Sequence, residues 1–340
     1  MSYGPHKSEV LISSTFQSAI FLKEGLVVLA ELIPLMDRDF SDLNTILDTL
    51  LEADITKSYT EAARNQLSKI RSEDSMYEVI FQAFNVLRSN LKILDELRIT
   101  AIDIQNDYWF SKAFSTIDQA YSYIAMLKRE KSIRQIKGLY VILDSEFTKG
   151  RNLIDIAHQT LSGGTRILQL RNKNSDKSEV LDQAIRLKEI CESAEALFVV
   201  NDDPDIALLS KAHGLHLGQT DLGVNFARQM LEHETFIGRS NNNLEEASES
   251  ENMGADYLAI GTVFPTSTMG KSNRIATGLN TIRELRDQTE LPIVAIGGIN
   301  AENVKTVVDS GADSVCVVSA ITLATDPEFE TQKIIKNMVI

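Results

Sequence analysis

The chain has 340 residues, 43% hydrophobic and 24% charged, an ordinary balance for a soluble globular protein with mass enough for two domains and a sizeable core. A net charge of −14 argues against nucleic acid or an anionic membrane as partner, since either needs an extended basic patch. No run reaches the roughly eighteen apolar residues of a membrane span, and the opening MSYGPHKSEV lacks the basic and apolar regions of a secretory signal, so a cytoplasmic protein is expected.

From about Glu9 to Lys131 leucines recur at three and four, with few glycines and one internal proline, Pro34, which predicts an all-helical domain over 1–134. It contains a repeat: FQSAIFLKEGLVVLAEL from Phe16 matches FQAFNVLRSNLKILDEL from Phe81, as a duplicated helical unit would. After the charged KSIRQIK the pattern changes to short β-branched runs alternating with helical ones. The runs are GLYVILD from Gly138, RILQLR from Arg166, ALFVVND from Ala196, GLHLG from Gly214, TFIGRS from Thr235, YLAIGTVF from Tyr257, PIVAIGG from Pro292 and SVCVVSA from Ser314. Continuous apolar runs fit parallel strands buried on both faces. Eight of them with a helix in nearly every gap predict a (β/α)8 TIM barrel over 135–340, an open doubly wound sheet being the competitor. Cys191 and Cys316 lack a CxxC spacing and read as buried thiols.

A barrel of this kind builds its active site at the C-terminal strand ends. The second run is followed by Gln169, Arg171 and Lys173, and the third by Asn201, Asp202 and Asp203. Gln219 and Asp221 follow the fourth, Ser240 the fifth, and Thr266, Ser267, Thr268 and Lys271 the sixth. The seventh ends in Gly297-Gly298 and the eighth in Ser319. Carboxylates from neighbouring strands, with few histidines or thiols nearby, favour a hard oxygen-seeking cation, Mg²⁺ bridging to phosphate oxygens being the usual arrangement. Gly297-Gly298 with the loop after Ser319 matches the phosphate pocket near strands seven and eight. Taken singly, Asn201-Asp202-Asp203-Pro204 reads as a helix cap, Arg171 and Lys173 as a solvated face, and His213 and His216 as packing and capping residues. Their coincidence at consecutive strand ends favours a functional reading.

QLRNK from Gln169, NDD from Asn201, HLGQTD from His216, GTVFPTST from Gly261, IVAIGGI from Ile293 and GADSVCVVSA from Gly311 resemble, in order and spacing, the thiamine phosphate synthase family. The resemblance implies Mg-dependent joining of 4-amino-2-methyl-5-hydroxymethylpyrimidine diphosphate to 4-methyl-5-(2-phosphoethyl)thiazole, or its carboxylated form. It implies that Gln169, Arg171 and Lys173 hold the aminopyrimidine and its pyrophosphate, that Asn201 lies beside the metal, and that Asp202 and Asp221 bind Mg²⁺. Ser240 would face the pyrimidine, and Thr266, Ser267, Thr268, Gly298, Val318 and Ser319 the thiazole phosphate. One departure stands out: the lysine the family places after the Thr-x-Thr segment is Met269 here, with Lys271 two residues on. The helical half resembles a domain fused to some family members, for which a pyrimidine-phosphate kinase role is weighed against a scaffold or homo-oligomer role. The alternatives are a thiazole tautomerase, which uses a histidine near the fifth strand end where this chain has Ser240 followed by Asn241 to Asn243, and a non-catalytic phosphate-binding barrel.

Overall fold

In the computed structural model the described residues are 73–100, 107–266, 268 and 276–338. The first copy of the helical repeat and residues Ser267, Met269 and Lys271 lie outside them. The chain forms two compact units, Met1–Ala125 and Met126–Ile340; the boundary falls within the helix Asp107–Arg134, at whose end the expected division after residue 134 lies.

In the first unit, helix α1 (Glu73–Thr100) carries the second copy of the repeat. Its buried residues Tyr77, Ile80, Phe81, Phe84, Leu87 and Leu91 follow helical spacing and form one stripe. Helix α2 (Asp107–Arg134) buries Ala113, Ile117, Ala120 and Ile124. The rings of Phe81 and Tyr121 lie 5.2 Å apart between the two helices.

The second unit is a closed barrel of eight parallel strands in the order of the sequence. The strands are β1 (Gly138–Asp144), β2 (Ile167–Arg171), β3 (Leu197–Asn201), β4 (Gly214–Leu217), β5 (Phe236–Asn241), β6 (Tyr257–Ile260), β7 (Ile293–Ile296) and β8 (Ser314–Val317). Helices separate them: α3 (Leu153–Ser162), α4 (Lys177–Ser193), α5 (Pro204–Leu209), α6 (Val224–Met230), α7 (Leu244–Asn252), α8 (Gly278–Arg286) and α9 (Val304–Val308), with α10 (Ser319–Thr322) and α11 (Pro327–Met338) after β8. The sixth predicted run is divided: YLAI is strand, while GTVF turns into the loop that the site uses.

Two cores follow from strand alternation. One set of residues, including Val141, Leu168, Phe198, Leu215, Ile237, Leu258 and Val315, packs outward against the helices. The other, including Tyr140, Ile142, Ile167, Val199, Phe236, Tyr257, Val294 and Cys316, fills the barrel. Gly238 is required here, because a Cβ on it would stand 1.9 Å from Cζ of Tyr257. Cys191 and Cys316 are both buried free thiols, as expected.

Candidate active site

Alternation along each strand decides what reaches the barrel mouth. Counting in steps of two from the interior residues Tyr140, Ile167, Val199 and Phe236 brings Asp144, Gln169, Arg171, Asn201 and Ser240 to the inner face at the C-terminal ends, with His216 in register beside Asn201 and Gly238. The polar residues read from the sequence thus converge from consecutive strands.

Arg171 is not on a solvated face. Its Nη1 donates to Oδ2 of Asp144 at 2.5 Å, and Asp144 is fully buried. The other oxygen of Asp144 accepts from the backbone N–H of Glu146 at 3.0 Å. This carboxylate fixes the guanidinium at the mouth, and the sequence reading missed it, although an acid closing the apolar run GLYVILD meets the criterion that selected the other strand ends.

Lys173 lies 2.8 Å from Oδ2 of Asp202. Asp202 adopts a left-handed backbone (φ 64°), with its N–H donating to the carbonyl of His216 at 2.9 Å, and its carboxyl meets that of Asp221 from the end of β4. Burial disfavours ionising Asp202, yet hydrogen bonds from Asp221 and Lys173 and the charge of Lys173 outweigh it and hold the carboxyl below its ordinary range. Asp221 moves the opposite way: burial and the neighbouring Asp202 raise it, against the hydrogen bond from Gly218 N–H at 2.7 Å. Two facing carboxylates concentrate more negative charge than Lys173 offsets. Among the described residues no group of three or more His, Cys, Asp or Glu is arranged to enclose a metal ion. A pair of oxygen donors open to substrate suits Mg²⁺, which retains waters and phosphate oxygens in its shell.

Gln169 is 1% exposed, and among the described residues neither its Oε1 nor its Nε2 has a hydrogen-bond partner. A buried primary amide with both ends unmet is costly unless something else satisfies it. Ser240 Oγ lies 2.9 Å from Nε2 of His216. A histidine therefore does stand at the fifth strand end, supplied by β4, which the run Ser240 to Asn243 did not disclose. His213 has the packing role expected of it: its Nδ1 accepts from the Phe198 N–H at 2.9 Å. Gln219 braces the same corner, donating to the Ser240 carbonyl at 2.5 Å and accepting from Arg239 at 3.2 Å.

Across the mouth, a cavity of about 50 Å³ is lined by Thr266, Thr268, Gly297, Gly298, Val318 and Ser319, among others. Thr268 Oγ1 is 3.0 Å from Ser319 Oγ, joining the β6 loop to the start of α10. Gly297 and Gly298 take φ of 109° and 66°, and a Cβ on Gly298 would stand 2.8 Å from Phe264 and from the Pro265 carbonyl. Backbone N–H groups, three hydroxyls and no carboxylate among these six suit this side to an anion.

Fold and site together define a (β/α)8-barrel enzyme class with carboxylates and cations on one arc of the mouth and a hydroxyl- and glycine-lined pocket on the other. The sequence model of the thiamine monophosphate synthase family matches residues 139–321, and the chain belongs to that family. It is 39% identical over 201 residues to the thiamine-phosphate synthase of Shouchella clausii, spanning 59% of this chain and 95% of that protein. Against the thiamine-phosphate synthase of Methanospirillum hungatei it is 40% identical over 202 residues, 59% of this chain and 98% of the relative. Among solved structures, the thiamine phosphate pyrophosphorylase from Pyrococcus furiosus superposes with a TM-score of 0.55 at 33% identity, covering 62% of this chain and 97% of that one. Among the described residues no helix is long and apolar enough to cross a membrane.

Proposed function

We propose that this chain condenses the aminopyrimidine diphosphate with the thiazole phosphate to give thiamine phosphate and pyrophosphate. The observation that carries the reading is the placement of the buried, unpartnered Gln169 carboxamide one strand from the Lys173–Asp202–Asp221 cluster. A carboxamide offers one donor and one acceptor side by side, which matches the ring nitrogen and amino group of a 4-aminopyrimidine. The cluster beside it suits a diphosphate and its cation.

In this reaction the C–O bond between the pyrimidine methylene and the diphosphate breaks, and pyrophosphate leaves with the electron pair. The thiazole nitrogen lone pair then forms the C–N bond. Asp202 and Asp221 would hold Mg²⁺, with Asn201 alongside, and the cation supplies charge neutralisation for the departing pyrophosphate. Arg171, held by Asp144, and Lys173 add donors to that leaving group. Gln169 and Ser240 fix the pyrimidine ring. The pocket of Thr266, Thr268, Gly298, Val318 and Ser319, with Ser267, would anchor the thiazole phosphate and bring the rings within attack distance, and Lys271, standing in for the lysine replaced by Met269, would add a further donor to the leaving pyrophosphate. No covalent nucleophile is needed.

The test is incubation of the pure chain with both substrates and Mg²⁺. Thiamine phosphate and pyrophosphate should appear in equal amounts, stop on exhaustive chelation and resume when Mg²⁺ is restored. Turnover that persists after chelation would remove the metal from the mechanism. Isomerisation of a thiazole without condensation would make the chain a tautomerase, and binding without turnover a phosphate-binding barrel.

A further inference from the structure

Four polar groups form a line through the barrel interior. The hydroxyls of Tyr140 (β1) and Tyr257 (β6) are 3.3 Å apart. The Tyr257 hydroxyl is 2.8 Å from Nδ1 of His216 (β4), and Nε2 of His216 is 2.9 Å from Oγ of Ser240 (β5). The tyrosines are 2% and 1% exposed, and the rings of His216 and Tyr257 stack at 5.7 Å and 22°. We propose that this line fixes the direction of every hydrogen bond in it, Tyr140 to Tyr257 to His216 to Ser240, so that Ser240 presents its O–H as a donor to a ring nitrogen of the bound heterocycle, with Tyr257 and His216 as positioning residues.

The direction follows from the buried end. Tyr140 lies in an apolar layer with Ile142, Phe236 and Cys316, where Tyr257 is its hydrogen-bond partner and the Cys316 thiol is a weak acceptor. Burial raises both phenols well above the ordinary range, so both keep their protons. Were Tyr140 to accept, its own proton would be buried without a good acceptor, a loss greater than one hydrogen bond contributes. Tyr140 therefore donates to Tyr257, and the Tyr257 proton goes to Nδ1 of His216. A neutral imidazole that accepts at Nδ1 carries its proton on Nε2, which donates to Ser240 Oγ. The Ser240 proton is left to point into the mouth. The serine–histidine pair is thus oriented opposite to a nucleophile and its base, because Nε2 already holds a proton and cannot take that of Ser240. A hydroxyl whose direction is set from behind favours an acceptor on its ligand over a donor.

This inference rests on the reading of Ser240 as a ring contact in the proposed synthase, and its test reads the protein apart from turnover. In the full chain labelled with ¹⁵N-histidine, NMR should show His216 as the Nε2–H tautomer. Tyr257→Phe removes one oxygen, and should give a mixture of tautomers and lower kcat/KM for the pyrimidine diphosphate about tenfold, with KM for the thiazole phosphate unchanged. In a Ser240→Ala background the same change should cost nothing further, since Tyr257 acts through Ser240. A wild-type Nδ1–H tautomer reverses the line and overturns the proposal. So does unaltered kcat/KM in Tyr257→Phe, or full additivity with Ser240→Ala. A wild type with the Nε2–H tautomer but no condensation would instead count against the synthase reading, leaving the hydrogen-bond direction standing.

Discussion

At the scale of single residues the site is governed by like charge held close. Asp202 and Asp221 meet because Asp202 takes a left-handed backbone (φ 64°) at the end of β3 and Asp221 folds back on the Gly218 N–H at 2.7 Å. Such an arrangement strains the backbone and repels internally, and a cation bound between the two carboxylates would relieve the repulsion. Asp202→Ala and Asp221→Ala should each lower kcat by roughly 10²–10³ while leaving the thermal unfolding midpoint near that of the wild type; steady-state kinetics beside calorimetry checks both. The displaced lysine gives a second expectation at this scale. Met269 cannot donate to a phosphate and Lys271 can, so Lys271→Ala should reduce kcat/KM by roughly ten- to a thousandfold, and Met269→Ala should change it little. Equal effects of the two changes would show that Lys271 does not replace the missing residue.

At the scale of elements the barrel interior is a packing problem solved by alternating large and absent side chains. Tyr257 on β6 fills the space that Gly238 on β5 leaves open, and Phe236 fills that above Gly214, where a Cβ would stand 2.1 Å from its ring. Gly238 thereby makes room for the Tyr257 ring through which the Tyr140–Tyr257–His216 line passes. Gly238→Ala should therefore destabilise the barrel by about 1–3 kcal/mol through overpacking, and should also disturb the His216 environment. Urea unfolding followed by circular dichroism measures the first effect, and the His216 ring resonances the second. A variant as stable as the wild type would mean that Tyr257 can move aside at no cost, and that the line is less rigid than its burial implies.

At the scale of the whole molecule, every described residue assigned to the site, from Asp144 to Ser319, lies in the unit Met126–Ile340, and the barrel satisfies its strand hydrogen bonds by closing on itself. A fragment starting near Met126 should fold cooperatively and retain synthase activity, measured by thermal unfolding and turnover beside the full chain. Starting at Ser132 instead would discard Arg129, which pairs with Asp256 at 3.6 Å within the unit, so the longer fragment should be the more stable of the two. A folded but inactive longer fragment would place part of the activity in the helical half.

The sequence by itself determined the eight strands, their parallel sense and the polar residues at their ends, because buried parallel strands demand continuous apolar runs and the barrel confines chemistry to one rim. Gln169, Asp202, Asp221 and Ser240 fall at strand ends by the order of the runs, but singling out Asp202 from Asp203 and Asp221 from Gln219 rested on the resemblance to the family. Asp144 was legible in principle, as the acid closing the first run, and was missed because a lone carboxylate at a strand end carries no sign of its partner. What only the tertiary structure decided is pairing across closure. Nothing in GLYVILD, GLHLG or YLAIG says that Tyr140, His216 and Tyr257 share one line of hydrogen bonds, nor that Arg171 is neutralised by Asp144 and Lys173 by Asp202. Those contacts join residues 27 to 117 positions apart, and they exist because the alternation of each strand points its side chains to a common axis that only the closed barrel creates.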